Sequence, residues 1–248
     1  VAPTAVSWYD GDCWICGEHG RFNRYTIPIG ANFCCPSCGA SHRYQGQARV
    51  LVTRYARQGA TCLAELCSEP EFAALRVWEP GQLGPFRPHL RALAGYETST
   101  YRPDDAPGSL RDGVPSQDLM ALTYEADRFD LVITSDVFEH VRRPYEGFAE
   151  VHRVLRPGGT HVFSIPVFWP MRPVTIPRVD TSGEVDVHLE EPTHHNGHLV
   201  YNDFGEDLLD RLDQIGFRTE VVRFPSDNQA AAKLLTFCSV KPPVRVSA

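Results

Sequence analysis

The stretch FDLVITSDVFEHVRRPYEGFAEVHRVLRPGGTHVFSIP, residues 129–165, constrains the fold more than any other part of the chain. It reads without interruption as strand, helix, Pro-Gly-Gly turn and second strand, and two strands joined through a helix lie parallel in one sheet. The first strand, 129–134, is a continuous apolar run rich in β-branched and aromatic residues, as a strand buried on both faces requires. From Pro144 onward, Phe148, Val151, Val154 and Leu155 recur at three- and four-residue spacing while Glu146, Glu150 and Arg153 take the other side, which predicts an amphipathic helix. Pro157-Gly158-Gly159 is expected to stop that helix, since proline cannot continue the ladder and glycine supplies a positive φ. Residues 161–165 are the expected next strand. Ligands in such sheets gather beyond the carboxyl ends of the strands, so 135–140 and the chain after Pro166 point at a site.

Five of the eight cysteines fall within the first 38 residues, and with no export signal recognisable ahead of them this clustering favours metal over disulfides. Cys13-Trp-Ile-Cys16-Gly and Cys35-Pro-Ser-Cys38-Gly are two knuckles that each offer two thiolates to one tetrahedral ion, the following glycine permitting a tight turn. Cys13, Cys16, Cys35 and Cys38 thus form a four-sulfur Zn2+ set resembling a zinc ribbon, with an iron-sulfur or redox site as the alternative and Cys34 as a spare ligand. A closed four-thiolate site has no position for water and is expected to be structural. Arg21, Arg24, Tyr25, Phe33, His42, Arg43 and Tyr44 mix cations and aromatics, which suits either an anionic ligand or an ordinary small-domain surface. Cys62 and Cys67 read as core residues.

FDLVITSDVFEHV followed by FAEVHRVLRPGG resembles the fourth strand, following helix and fifth strand of class I S-adenosylmethionine-dependent methyltransferases, in particular their small-molecule branch. The resemblance implies an α/β, Rossmann-like seven-stranded sheet with helices on both faces, here with a small N-terminal zinc-binding module. It covers 129–165 closely and about 75–240 more loosely. The expected division is a zinc-ribbon-like module at 1–45, connecting helices at 46–73, and a methyltransferase domain at 74–248 whose segment 166–200 forms a substrate lid.

What the family uses to hold S-adenosylmethionine maps unevenly onto this chain. The first strand, 75–79, runs into Glu79-Pro80-Gly81-Gln82-Leu83-Gly84-Pro85, where Glu79, Gly81 and Gly84 partly match the acidic and glycine-rich turn, but two prolines stiffen it and its central glycine is missing. The acidic residue expected at the end of the second strand is replaced in 96–101 by an early Glu97 and by Ser99 and Thr100, whose hydroxyls can still meet a ribose. Asp118 and Leu119 resemble the pair that receives the adenine, with a capping role as the alternative for Asp118. Ser135, Asp136 and Val137 line the exit of the fourth strand.

Segment 166–200 carries His188, Glu190, Glu191, His194, His195 and His198, and a connection of that length in a compact domain tends to be functional. A hydroxyl acceptor must lose a proton, a task suited to a group titrating near neutrality. His194, His195, His188 and His140 are the candidate bases in that order, with Glu190 orienting an imidazole; alternatively His188, Glu190, His194 and His195 ligate a divalent ion. Asn202-Asp203-Phe204 is expected to cap a helix reaching about residue 215, which Gly216 ends. Residues 217–224 and 234–240 then form the last antiparallel pair.

The expected activity is S-adenosylmethionine-dependent O-methylation of a small molecule such as a sugar, phenol or natural-product intermediate. The rivals are an RNA base methyltransferase with a zinc module, and a non-catalytic interaction protein on the same scaffold. Residues 1–60 hold six Arg against Asp10, Asp12 and Glu18, while the whole chain carries −7, so the main domain is acidic and disfavours nucleic acid as a general partner. No apolar stretch approaches the roughly 18–20 residues of a membrane span. A cytoplasmic monomer or homodimer is the expectation.

Overall fold

The computed structural model describes residues 8–23, 33–81, 84–167, 169–195, 197–224 and 234–243; Arg24 and Tyr25 lie outside them. A hairpin of β1 (Trp8–Asp12) and β2 (His19–Asn23) opens the chain, and α1 (His42–Tyr55) follows the second cysteine knuckle. The main sheet contains β3 (Val77–Pro80), β4 (Tyr96–Ser99), β5 (Phe129–Ser135), β6 (Leu155–Ser164), β7 (Arg218–Arg223) and β8 (Leu235–Val240). Their spatial order is β7-β8-β6-β5-β3-β4. β4, β3, β5 and β6 are parallel, whereas β8 runs antiparallel to β6 and β7 antiparallel to β8.

Six strands are thus hydrogen-bonded among the described residues where seven were expected. Beyond β4 the edge is reduced to one parallel bridge, Thr100 to Ser116. The chain there is rich in glycine and proline and spends its polar groups locally, the Arg102 side chain binding Asp105 and the Val114 carbonyl. That composition leaves few amides in register for a ladder.

Alternation along the strands divides two cores. Val77, Leu131, Ile133, Val162 and Cys238 face α1, packing with Ala48 and Leu51 and with Cys13, Phe22, Phe33 and Cys35 of the cysteine module. Trp78, Val132, Phe163 and Phe237 face the other way, onto Phe148, Val151 and Val154 of α2 (Pro144–Val154) and Leu208 and Leu212 of α3 (Asp207–Ile215). Each fully buried side chain of this kind contributes about 1.5–3 kcal/mol. The module therefore shares a core with the sheet.

Two local expectations are corrected. Helix α2 ends at Val154 and the chain is already extended at Leu155, so Pro157-Gly158-Gly159 lies inside β6. The register steps from Phe129 opposite Leu155 to Leu131 opposite Thr160, a bulge that Gly158 makes possible at φ 84° while its amide donates to Lys241 O. Asn202–Asp203 does not cap α3 but pairs with Ile176–Pro177. Near the start of α3, Asp207 instead accepts from the amide and hydroxyl of Thr175. Gly216 ends that helix at φ 112°, as expected.

Candidate functional site

Four sulfurs converge beside the start of α1. Those of Cys13 and Cys38 are 3.6 Å apart and those of Cys16 and Cys35 3.7 Å, all four lying within 4.8 Å of one another. Cys34 is outside this set. Gly17 and Gly39 take φ 81° and 72°, the turns the knuckles require. Donors aim at the sulfurs: Gln45 Nε2 and the Ile15 and Cys16 amides at Cys13, and the Ser37 amide at Cys35. The Cys38 thiol and these donors hold Cys13 well below the ordinary thiol range. Two neighbours move the other way, burial raising Cys16 to about 11 and the Cys13 contact and burial raising Cys38.

The second region lies at the carboxyl ends of the parallel strands, where β3 hands the sheet order to β4 on one side and β5 on the other, the crevice in which such sheets bind ligands. At the β3 exit Glu79 is buried, receives the Tyr96 hydroxyl at 2.7 Å, and is pushed up to about 7 by desolvation. Gly81 has φ 103° and open space where a side chain would stand, and Gly84 lies over Glu79 and Tyr44. On β4, Glu97 is taken by Arg128 at 2.6 Å and Ser99 is buried, its Oγ accepting from the Trp78 indole at 3.1 Å. Thr100 is half-buried at the strand end. Asp118 accepts from the Met120 amide in a tight turn, and Leu119 packs beside Gly147 of α2.

At the β5 exit, Ser135 donates to Gln47 Oε1 at 2.7 Å, and Gln47 Nε2 in turn donates to Thr134 O at 2.9 Å. Asp136 stands at φ 49°, outside the range most side chains favour, accepts from Ser164 Oγ at 2.8 Å and forms an ion pair with Arg43. Val137 leads into the 3-10 turn Phe138–His140. Helix α1 thus supplies two polar side chains to a strand end about 90 residues downstream.

That 3-10 turn carries a side chain that sequence reasoning passed over. Phe138 stacks on Phe148 at 3.7 Å, which draws Glu139 inside until only 1% of it is exposed. Neither Glu139 carboxyl oxygen has a hydrogen-bond partner, and burial raises the group to about 7. Oε1 lies 3.6 Å from His140 Nε2 and 3.9 Å from His195 Nδ1. His140 Nδ1 is 2.8 Å from the Leu199 carbonyl, so it is the donor and Nε2 carries the lone pair. Burial lowers the His140 pKa, whereas the neighbouring Glu139 carboxylate raises that of His195.

Of the four histidines expected to act, the structure brings His140 and His195 together and leaves His188 and His194 exposed on two short hairpins. Glu190 orients no imidazole; it pairs with Arg178 at 3.0 Å, which also holds Asp203 and Thr193. Gln47 and Glu139 were the residues missed. A glutamine among Val50, Leu51 and Tyr55 on the apolar side of α1, and a glutamate wedged between Phe138 and His140, were the available signals.

Among known proteins, an uncharacterized methyltransferase of Mycobacterium avium (strain 104) is 47% identical over 49 residues, 20% of this chain and 19% of that protein. One from Mycobacterium marinum matches to the same extent. The match spans about a fifth of the length of these curated relatives. An S-adenosylmethionine-dependent methyltransferase from Mesorhizobium loti superposes with TM-score 0.46 at 22% identity over 70% of this chain and 94% of that one. The 1,6-didemethyltoxoflavin-N1-methyltransferase of Burkholderia thailandensis gives 0.43 at 17% over 90% and 95%. Likeness at that level adds nothing to the topology already described. A family described as a methyltransferase domain matches residues 97–163, the segment that runs from β4 through β5 and α2 into β6.

Proposed function

We propose that the protein is a methyltransferase that moves a methyl group from S-adenosylmethionine to a hydroxyl of a small molecule such as a sugar, phenol or natural-product intermediate. The observation that carries this is the adjacency at the β5 exit, inside the methyltransferase-domain segment, of Asp136, paired with Arg43, to the buried Glu139 and to His140, which His195 meets from the later chain. S-adenosylmethionine, when bound, supplies a methyl already activated by the sulfonium charge. The residues at hand suit it: open space over Gly81 beside the buried Glu79 leaves room for a ligand to meet backbone. Glu79, Gly81 and Gly84 would hold its methionine end, Thr100 and Ser99 the ribose side, Asp118 and Leu119 the adenine, and Ser135, Asp136 and Val137 the sulfonium region.

His140 and His195 then serve the acceptor. The Leu199 carbonyl fixes the His140 tautomer with Nε2 free, and its lowered pKa keeps that nitrogen unprotonated at neutral pH, ready to take a proton from a hydroxyl. The segment 166–200 forms the lid over this point. Cys13, Cys16, Cys35 and Cys38 hold a structural Zn2+, in a module at 1–45 joined through 46–73 to the methyltransferase domain at 74–248. The cations that favour RNA are largely engaged, Arg21 with Asp10 and Arg43 with Asp136. Among the described residues no helix is long and apolar enough to cross a membrane.

Calorimetry with S-adenosylmethionine and with S-adenosylhomocysteine tests the reading. Saturable heat for both is expected, with thermal stabilisation of about 2.7 kcal/mol at a hundredfold excess over Kd. Absence of heat and of stabilisation for both ligands defeats it.

A further inference from the structure

We infer that Glu139, His140 and His195 form a second metal site, one that takes a divalent first-row transition ion and leaves coordination positions open to an oxygen ligand. The argument begins with lone pairs. His140 Nδ1 gives its hydrogen to Leu199 O, so His140 Nε2 presents a lone pair to a Glu139 oxygen 3.6 Å away. His195 Nδ1 faces the same oxygen at 3.9 Å, and neither carboxyl oxygen receives any hydrogen bond. Three atoms able to ligate a cation converge within 4.8 Å around a carboxyl group almost wholly withdrawn from water, and neither His140 at 3.6 Å nor His195 at 3.9 Å reaches hydrogen-bonding distance of it.

A metal ion fits there. Bond lengths of roughly 2.0–2.2 Å place neighbouring donors about 3.0–3.5 Å apart, so the two Glu139–histidine separations need close by only a few tenths of an ångström. One carboxylate and two imidazoles suit Zn2+, Co2+, Fe2+ or Mn2+ better than Mg2+ or Ca2+, which prefer all-oxygen shells. The carbonyl behind His140 is the outer support such ligands commonly have. Three protein donors leave room for water or for an alcohol or phenol oxygen, whose proton the cation loosens. Only this last use rests on the proposed methyl transfer, where the metal would loosen the hydroxyl proton in place of His140 acting as the base; the site itself does not.

The test is a titration with Co2+ alone of the full-length chain loaded with one equivalent of Zn2+, which the four thiolates take first, followed by visible absorption. The thiolate tetrad stays filled with zinc, so new bands report a nitrogen and oxygen site. Saturation at a single Co2+ per chain is expected. His195→Ala, a change at a half-exposed side chain whose fold is checked by circular dichroism, should weaken binding at least about tenfold, and Glu139→Gln likewise. Equal Co2+ binding by wild type and His195→Ala, or no Co2+ bands in wild type, overturns the proposal. No methyl donor or acceptor enters this measurement, so Co2+ binding without methyl transfer sinks only the proposed function, and the reverse result sinks only the metal.

Discussion

Glu79 is held protonated to a higher pH than a carboxyl in water, because desolvation outweighs the Tyr96 hydroxyl and the Arg87 charge. Its pKa rises on folding from an ordinary 4.5 to about 7, so its contribution to stability is full below pH 4.5 and is lost as the pH climbs through about 7. Over that window the ligand-free protein should lose about 3 kcal/mol through this one group. Glu79→Gln should remove that slope, visible when denaturant midpoints of the two proteins are compared at pH 4.5 and 7.5; parallel curves would contradict the assignment. His42 and His161 act with the opposite sign. Both are buried and lowered to about 3, so their contribution is present above pH 6.5 and disappears as the pH falls. Little of this was legible in the sequence. A glutamate before Pro-Gly reads as a turn residue, and Glu139 reads as one charge in an exposed loop, until the stacking of Phe138 on Phe148 shows which way the turn is folded.

At the scale of elements, periodicity found α2 because it must hide one face, and an unbroken apolar run found β5 because it hides both. Punctuation was less reliable. Pro157-Gly158-Gly159 signals a departure from regular geometry, and a bulge in β6 satisfies that signal as well as a helix end does. Helix α1 gives a sharper case. A Cβ placed on Gly46 would stand 2.6 Å from Thr236 Oγ1 of β8, so this glycine marks the closest approach of helix and sheet. Helix propensity alone says Gly46→Ala gains about 1 kcal/mol. Overpacking is expected to win instead, with a net loss of about 1–3 kcal/mol in urea unfolding. In a Thr236→Ala background the same change should become neutral or stabilising, and a loss of equal size in both backgrounds would refute the contact.

The whole molecule is less divisible than its sequence suggests. Composition and cysteine spacing separate a basic module from an acidic main domain, yet Cys13, Phe22, Phe33 and Cys35 belong to the same buried cluster as Val77, Leu131 and Ile133. The reason lies in α1, which begins at the second knuckle and carries Arg43 and Gln47 to the exit of β5. Sequence separation of about 90 residues hid that half of the site. Stripping the zinc proposed for the four thiolates with a mercurial and a chelator should therefore release one ion per chain from the tetrad and also weaken S-adenosylmethionine binding, by at least about tenfold. Zinc release with unchanged calorimetric affinity would show that the module and the crevice are uncoupled. The approach of Gly46 to Thr236 has a temporal side as well. The two residues are made roughly 190 positions apart. At the ordinary pace of translation, about 5–20 residues per second, α1 waits roughly 10–40 s on the ribosome before the last of the strands it packs against exists. During that interval part of its apolar side stays uncovered, and the metal capture proposed for the knuckles, with the β1–β2 hairpin, would hold the nascent module until the last strand arrives.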